Sequence, residues 1–401
     1  MARLPDWTKP HYVGIDENGM GPRLGPLVVT SVVLTTTTER GARLVRSRPS
    51  GALAKRIGDS KKLVAFDDSA LGEAWARAIA ARGLGVGRAA KTPGELIDAL
   101  LVDDVPSMRA PCPRHHLDLC WGTRGETFVA SDEMVAECAR DLDKLESRGV
   151  QLVRARLAVL CARRLNEGVA KGLSRFDLDL HAMERLTLAA RADVGDEVYA
   201  LCGKVGGFDF YAPRFGPLAG WLHTTLVEGR ARSEYHVPTV GRLGFVRDGD
   251  DSHLAIGLAS LVGKWVRDHL MRRVVRFHRE GLPEAEAAVL PEASGYHDPV
   301  TTQFIEATSL VRRARKVEDP CFERLSVGKD GPPSSRVSRP PPSSLPLSLQ
   351  PPPSSGPPSS WSAPTSRGAA PTTPNGAPSA RSLISSARPR PSVKPRVKHP
   401  Q

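Results

Sequence analysis

The sequence predicts a protein of the α/β class, with one large folded region followed by a disordered tail. Three observations lead to this prediction: two runs of β-branched and apolar residues near the N-terminus, apolar residues that recur at helical spacing further along, and a C-terminal stretch dominated by Pro and Ser. We place the folded region at residues 1–326, which have enough apolar residues to bury a sizeable core, and the tail at residues 327–401.

Two strands open the chain. Residues Tyr12 to Asp16 and Pro26 to Thr35 are rich in β-branched and apolar residues, and the Gly-rich segment Glu17 to Gly25 joins them. We therefore predict an opening hairpin, and a further strand from Glu197 to Cys202.

Helices are predicted where apolar residues recur every three or four positions. The segments are Ser69 to Arg82, Asp132 to Ser147, His181 to Ala192 and about Leu254 to Arg279. Gly83 and Gly149 are placed to end the first two of these helices.

The tail carries most of the net charge. The 401-residue chain has a net charge of +12, of which residues 327–401 contribute +9 through ten basic residues and one acid. Nineteen of the 35 prolines also lie in the tail, so it cannot bury enough apolar surface to offset the entropy of ordering. Its basic end, Arg388 to Lys398, could bind nucleic acid electrostatically or could only keep the chain soluble.

Composition argues against a membrane or secreted protein. The longest apolar stretch, Leu24 to Leu34, contains Gly25 and Pro26 and is shorter than the roughly 20 residues that cross a bilayer. The N-terminus has no signal-peptide pattern, and the six cysteines include no CxxC pair, as is typical of reduced intracellular thiols. We expect a cytoplasmic monomer that makes no membrane contact.

Asp16 and Glu17 are the first candidate site residues. They end an apolar strand just before a turn that needs glycine, so the sheet should hold them in place and expose them at its edge. Carboxylate oxygens are the ligands that Mg2+ prefers, and such a site leaves room for a phosphate. An ordinary polar turn after a strand would also explain these residues.

Two further polar groups stand later in the chain. Ser60 and Lys61 could hold phosphate oxygens, although a solvated turn capped by Asp59 is an equally good explanation. Acids at 248, 250 and 251 precede the long helix, where the helix dipole alone would favour them. Ser260, Lys264 and Arg267 follow on its otherwise apolar body, and buried polar groups there need partners.

Together these segments resemble the type 2 ribonucleases H, the ribonuclease HII family. The matching segments, in the family's order, are GIDENGMGPRLGP, GDSKKL, DDSHLAIGLASLVGKWVRD and SGYHDPVTTQF. The resemblance implies a ribonuclease H-like fold, with a central mixed β-sheet flanked by helices and a carboxylate cluster that binds two divalent metals, Mg2+ or Mn2+. It also implies hydrolysis of the RNA strand at ribonucleotides in RNA/DNA hybrids or in ribonucleotide-containing duplex DNA.

The resemblance also implies roles for individual residues. Asp16, Glu17 and Asp250 would be the catalytic metal ligands, with Asp250 chosen because it stands ten residues before Ser260, as in the family. The residues implied to contact substrate are Gly19, Met20 and Gly21 near the ribose 2′-hydroxyl, Tyr296 beside the next sugar, and Ser60 and Lys61 on backbone phosphate.

The sequence departs from the family at two of these places. Met20 replaces an Arg, and Gly203 stands where the family has a further catalytic Asp. We expect Lys204 to add a repelling charge, and Asp209 to substitute only if the chain bends back at residues 206–207. The alternative hypothesis is therefore a catalytically impaired, ribonuclease H-like nucleic-acid-binding protein.

A zinc site is a second, weaker metal hypothesis. Cys112, His115, His116 and Cys120 could ligate zinc, but their spacing matches no established zinc pattern. We therefore interpret them as structural residues.

Overall fold

A seven-stranded mixed β-sheet runs through the part of the chain that the computed structural model describes, residues 10–83, 90–205 and 208–325. The strands are β1 His11–Asn18, β2 Leu27–Thr36, β3 Val150–Leu160, β4 Val198–Gly203, β5 Thr224–Val227, β6 Arg232–Val237 and β7 Gly241–Val246. The predicted tail, 327–401, and the turn at 206–207 lie outside the described residues.

The strand order in the sheet is β3-β2-β1-β4-β7-β6-β5. Strand β1 pairs antiparallel with β2 but parallel with β4, and β4 pairs parallel with β7. The outer pairs, β2 with β3, β6 with β7 and β5 with β6, are antiparallel. The carboxyl ends of β1, β4 and β7 therefore lie side by side at one edge of the sheet.

Helices cover both faces of the sheet. They are α1 Glu39–Val45, α2 Ser60–Leu63, α3 Ala70–Gly83, α4 Pro93–Leu100, α5 Val105–Arg109, α6 Asp118–Trp121, α7 Asp132–Glu146, α8 Ala162–Ala170, α9 Arg175–Val194, α10 Gly249–Ser252, α11 Leu254–Arg279, α12 Glu284–Val289, α13 Pro299–Ala307, α14 Ser309–Ala314 and α15 Asp319–Phe322. None of the described helices combines the length and apolarity needed to span a bilayer.

Alternating side chains on β1 build the two sides of the core. Tyr12 packs in the cluster that contains α3 and α11, whereas Val13 and Ile15 pack in the cluster that contains α8 and α9, because neighbouring strand residues point to opposite faces. Gly14 lets α11 approach closely, since a Cβ there would lie 2.0 Å from the carbonyl oxygen of Ala255. Helix α11 therefore packs directly against the middle of the sheet.

The predicted α/β class and the mixed sheet flanked by helices are confirmed. The opening hairpin is present, and the long helix has the predicted bounds. Helix α9 begins six residues before the predicted start at His181, because Ser174 and Asp177 form a capping box there.

Strand β3 was not predicted, because charged residues interrupt its apolar pattern. Arg154 and Arg156 on β3 pair with Asp193 of α9, at nitrogen–oxygen distances of 3.5 Å and 2.6 Å. Their charges are thus accommodated by a residue distant in the sequence, which periodicity within the strand cannot reveal.

Candidate active site

The carboxyl ends of the three parallel strands bring together residues that are distant in the sequence. Asp16 and Glu17 lie near the end of β1, Gly203 ends β4, and Asp250 follows β7 on α10. The pairing register places Ile15 beside Cys202 and Gly203 beside Val246. Side chains at the ends of adjacent parallel strands commonly form ligand sites, so this edge is the candidate site.

Asp16 is 8% exposed and lies on the α11 side of the sheet. Burial raises its pKa well above the usual value, and the charges of Glu17 and Asp250 add to the rise. The nearby Ser260 side chain on α11 partly offsets the rise. Asp16 is therefore a carboxyl group whose charge the protein leaves largely uncompensated.

Glu17 lies on the next position of β1, on the side of the sheet where α9 packs. Burial raises its pKa to about 8, and the largest charge effect comes from Asp179 of α9. The charge of Lys61 opposes this rise, but it does not outweigh the loss of solvation.

Asp250 is the acid of the 248–251 segment whose charge acts on Asp16 and Glu17, and these three residues are the first members of an acid cluster. Asp248 is exposed and pairs with Arg247 at 3.5 Å, and Asp251 is bound by Arg48. Burial raises the pKa of Asp250, and the charge of Asp59 adds to this rise. Asp250 in turn acts on Asp16, so the structure places the acid chosen by spacing at the sheet edge.

Asp179 is an acid of this cluster that sequence reasoning missed. It lies on α9 and is fully buried, and neither of its carboxylate oxygens has a hydrogen-bond partner among the described residues. Burial raises its pKa well above the usual value, and the charge of Asp16 adds to this. Its signal was its place on the apolar stripe of Phe176, Leu180 and Met183, where a charged residue is unexpected.

Gly203 adjoins both acids of β1. A Cβ added there would lie 2.9 Å from Oδ1 of Asp16 and 3.6 Å from Oε2 of Glu17. The position thus touches the acid pair, as the sequence motif implies, and it provides no carboxylate.

The expected repelling effect of Lys204 is wrong, and Asp209 does not take the place of the missing carboxylate. The Lys204 ammonium points away from the acid cluster and donates to Oδ1 of Asp209 at 2.6 Å and to the carbonyl of Gly229 at 2.6 Å. Lys204 therefore adds no repelling charge at the site, and Asp209 is held by this ion pair rather than released to replace the missing carboxylate.

The acid cluster fits a hard divalent cation in its chemistry. The charge of exposed Lys61 only partly offsets the rise in the pKa of the cluster's carboxyl groups, and Asp179 contributes two oxygens without partners. No three of these acids bring oxygens within 4.8 Å of one another, so in the described residues they do not form a closed cage around one ion. Such a spread agrees with mutual repulsion between acids that have no cation among them.

The four residues of the zinc hypothesis do not come together as a ligand set. Among the described residues, the one group of three ligand atoms within 4.8 Å combines His115 and His116 with Glu318. Cys112 instead accepts a hydrogen bond from Trp121 at 3.3 Å. The structure thus gives no support to zinc binding by Cys112 and Cys120.

The two residues of the second motif have different surroundings. Ser60 is 2% exposed, and its Oγ accepts from Oγ of Ser260 at 2.9 Å, which places it behind the residue that contacts Asp16. Lys61 is exposed, and its charge opposes the rise that burial causes in the pKa of Asp16. Lys61 is therefore the better placed of the two to reach a phosphate.

The glycine turn after β1 presents its backbone at the site edge. Gly19 has a φ of +95°, which favours glycine, and its carbonyl accepts from Arg324 at 2.6 Å. The carbonyl of Met20 accepts from Arg175 at 3.3 Å. A Cβ at Gly21 would have no atom within 4 Å, so this backbone is open to a ligand.

Tyr296 lies beside the same turn. The carbonyl of Gly295 accepts from the backbone nitrogens of Arg23 and Leu24 at 2.8 and 3.1 Å, which ties the two segments together. The Tyr296 ring is 40% exposed and lies under the Arg267 guanidinium, 4.8 Å from its centroid. This arrangement leaves part of the ring available for stacking.

Comparison with solved structures finds ribonucleases H of the HIII and HII types. A crystal structure of Bst-RNase HIII in complex with Mn2+ aligns at 14% identity and a TM-score of 0.39, covering 79% of this chain and 67% of that chain. The PCNA:RNase HII complex from Archaeoglobus fulgidus aligns at 15% identity and a TM-score of 0.34, covering 79% of this chain and 94% of that one. A mutant of Bst-RNase HIII aligns at 14% identity and a TM-score of 0.33, covering 75% and 71%.

No protein-family model matches the chain, and no curated protein does. The chain is thus similar to solved structures of the proteins that its motifs resemble.

Proposed function

We propose that this chain is a divalent-metal-dependent endonuclease of the type 2 ribonuclease H kind. Its substrates would be RNA/DNA hybrids or ribonucleotide-containing duplex DNA, with hydrolysis of the strand that holds the ribonucleotide. The supporting observation is the group of uncompensated carboxyl groups, Asp16, Glu17 and Asp250, at one sheet edge and within motifs that resemble that family.

The acids would act as the ligands of Mg2+ or Mn2+. Such an ion, when bound, lowers the pKa of a ligated water and stabilises charge on a phosphate oxygen. Asp16 and Glu17 are held by β1, and the Ser260 side chain beside Asp16 lowers the pKa of that carboxyl group. The rigid sheet would thereby position these ligands before substrate arrives.

The groups around the acids would recognise the substrate. The open backbone at Gly21 allows a ribose 2′-hydroxyl to approach, and Tyr296 presents part of its ring to a neighbouring sugar. Lys61 would hold a backbone phosphate as a point charge. In this proposal Gly19 and Met20 shape the turn through their bonded carbonyls.

A second function, binding of the hybrid without cleavage, is favoured by one observation. Gly203 touches Asp16 and Glu17 but offers no carboxylate at the place where the family motif has one. Loss of a ligand weakens a metal site, so binding could outlast catalysis.

Cleavage of end-labelled duplexes distinguishes the two functions. One duplex is an RNA/DNA hybrid and the other is DNA with a single ribonucleotide, each incubated with Mg2+ or with Mn2+. The nuclease proposal predicts cleavage that the Asp16→Asn variant loses. Binding without cleavage in either metal would favour the second function.

The monomeric state and cytoplasmic location remain predictions from the sequence. Light scattering on the purified chain tests the first, and fractionation of cells tests the second.

A further inference from the structure

We propose that Asp179 supplies a carboxylate to the metal site from helix α9, in place of the one that Gly203 does not provide. This inference rests on the proposed function, since it concerns how the same site is completed. It assigns a ligand role to a residue outside the motifs that resemble the family.

Asp179 lacks hydrogen-bond partners, whereas the other buried acids of helix α9 have them. The same helix carries Asp177 and Glu184, both buried. Asp177 accepts from the backbone nitrogen and hydroxyl of Ser174, and Glu184 accepts from the backbone nitrogen of Leu218 at 2.7 Å. Asp179 has no such partner for either oxygen among the described residues.

An unsatisfied buried carboxyl group is costly to keep. Burying a polar group without a hydrogen bond costs roughly 1–3 kcal/mol in proteins, and more if it is charged. Protonation would not remove the cost, because both oxygens still lack partners. A bound cation would compensate the charge and satisfy these oxygens at once.

The surroundings of Asp179 point to the same site. Glu17 and Cys202 both lie on the α9 side of the sheet, at the ends of β1 and β4. Asp179 is the charged group with the largest effect on Glu17, and Asp16 is the charged group that acts on Asp179. Burial raises the pKa of the Cys202 thiol, the charges of these three acids add to the rise, and Glu184 adds a smaller contribution. Asp179 therefore lies behind the acid pair, near the end of the strand that lacks its acid.

Metal binding tests this role independently of catalysis. Mn2+ is titrated into the full chain by calorimetry, and thermal unfolding is followed without metal. The variants are Asp179→Asn, Asp16→Asn and Glu184→Gln. The last is the matched control, because it makes the same carboxylate-to-amide change at a fully buried position of the same helix.

The proposal predicts that Asp179→Asn weakens Mn2+ binding at least about tenfold, as lost metal-site interactions commonly do. Its unfolding temperature without metal should equal or exceed that of the parent, since an uncompensated acid is removed. Glu184→Gln should bind Mn2+ like the parent and unfold at a lower temperature.

Two other results would overturn the proposal in distinguishable ways. If Asp179→Asn binds Mn2+ like the parent while Asp16→Asn does not bind, Asp179 is no ligand and the proposed function stands. If the parent itself binds no Mn2+, both the ligand role and the proposed metal-dependent function are wrong.

Discussion

Two groups of buried acids in this protein differ in what surrounds them. At the sheet edge, buried Asp16 and Asp179 and half-buried Glu17 lie close together without a buried cation, and loss of solvation raises the pKa of each. Glu126 lies in the segment between α6 and α7. Its Oε1 accepts from Nε of Arg273 at 2.6 Å, and its Oε2 accepts from Nη2 of the same residue at 2.9 Å.

The counter-ions decide the protonation of the second group. Burial alone would raise the pKa of Glu126, but the nearby ring of His269, with Nε2 3.1 Å from Oε1, and the hydrogen bonds from Arg273 outweigh it and hold that pKa at about 2. Arg276 adds a third contact at 3.2 Å. Burial is thus common to both groups, and the Glu126 group differs in having the buried cation of Arg273 in direct contact with the acid.

This difference separates an acid that stabilises the fold from an acid available to a ligand. A satisfied ion pair is broken only at a cost, whereas an uncompensated acid costs stability until a cation arrives.

The largest effect is expected at the compensated group. Arg273→Met should lower the free energy of unfolding by about 3 kcal/mol, because it leaves Glu126 buried with an incomplete set of partners. Urea unfolding followed by circular dichroism measures the change. A loss below about 1 kcal/mol would mean that His269 and Arg276 suffice, and the contrast between the two groups would weaken.

The sheet-edge group should respond in the opposite direction. Asp16→Asn should raise the free energy of unfolding without metal by about 0.5–2 kcal/mol, since it removes one of several repelling acids. The same urea experiment in the presence of a chelator tests this. A destabilised variant would show that Asp16 is held for structure.

The pH dependence separates the groups further. The pKa of Glu126 is lowered in the folded state, so its stabilising contribution is present above about 4.5 and is lost as pH falls towards about 2. Glu17 has a raised pKa, so without metal its contribution is present at low pH and is lost as pH rises through about 8.

Unfolding of the parent and of Glu126→Gln from pH 5 to pH 3 checks the first of these slopes. The difference in stability between the two proteins should shrink as the pH falls. A constant difference would contradict the role assigned to the Glu126 ion pair.

The smallest effect is expected at exposed Lys61. Lys61→Ala should weaken duplex binding modestly and reduce the slope of log affinity against log salt by about 1, as for a single phosphate contact. Binding measured by fluorescence anisotropy at several salt concentrations tests this. An unchanged slope would remove Lys61 from the substrate surface.

Local patterns in the sequence were sufficient for much of the fold. The hairpin that contains Asp16 follows from runs of β-branched residues, and the long helix that ends at Arg279 follows from helical periodicity. Both are confirmed. Strand β3 was not predicted because Arg154 and Arg156 pair with Asp193, which lies 37 or more residues further along the chain.

The same limit applies to the candidate site. Spacing from Ser260 selected Asp250 among three acids, and the structure places that acid with Asp16. Asp179 could not be found in this way, because its relation to Glu17 depends on how α9 packs across the sheet. Lys204 was misjudged for the same reason. Its ammonium pairs with Asp209 and does not face the acids beside Gly203.

The most direct test of the central claim is the effect of Mn2+ on thermal unfolding. It compares the parent with Asp16→Asn and with Glu126→Gln, one variant from each group of buried acids. The account predicts that Mn2+ raises the unfolding temperature of the parent and of Glu126→Gln, and leaves that of Asp16→Asn unchanged. An equal rise in all three proteins, or none in the parent, would contradict it.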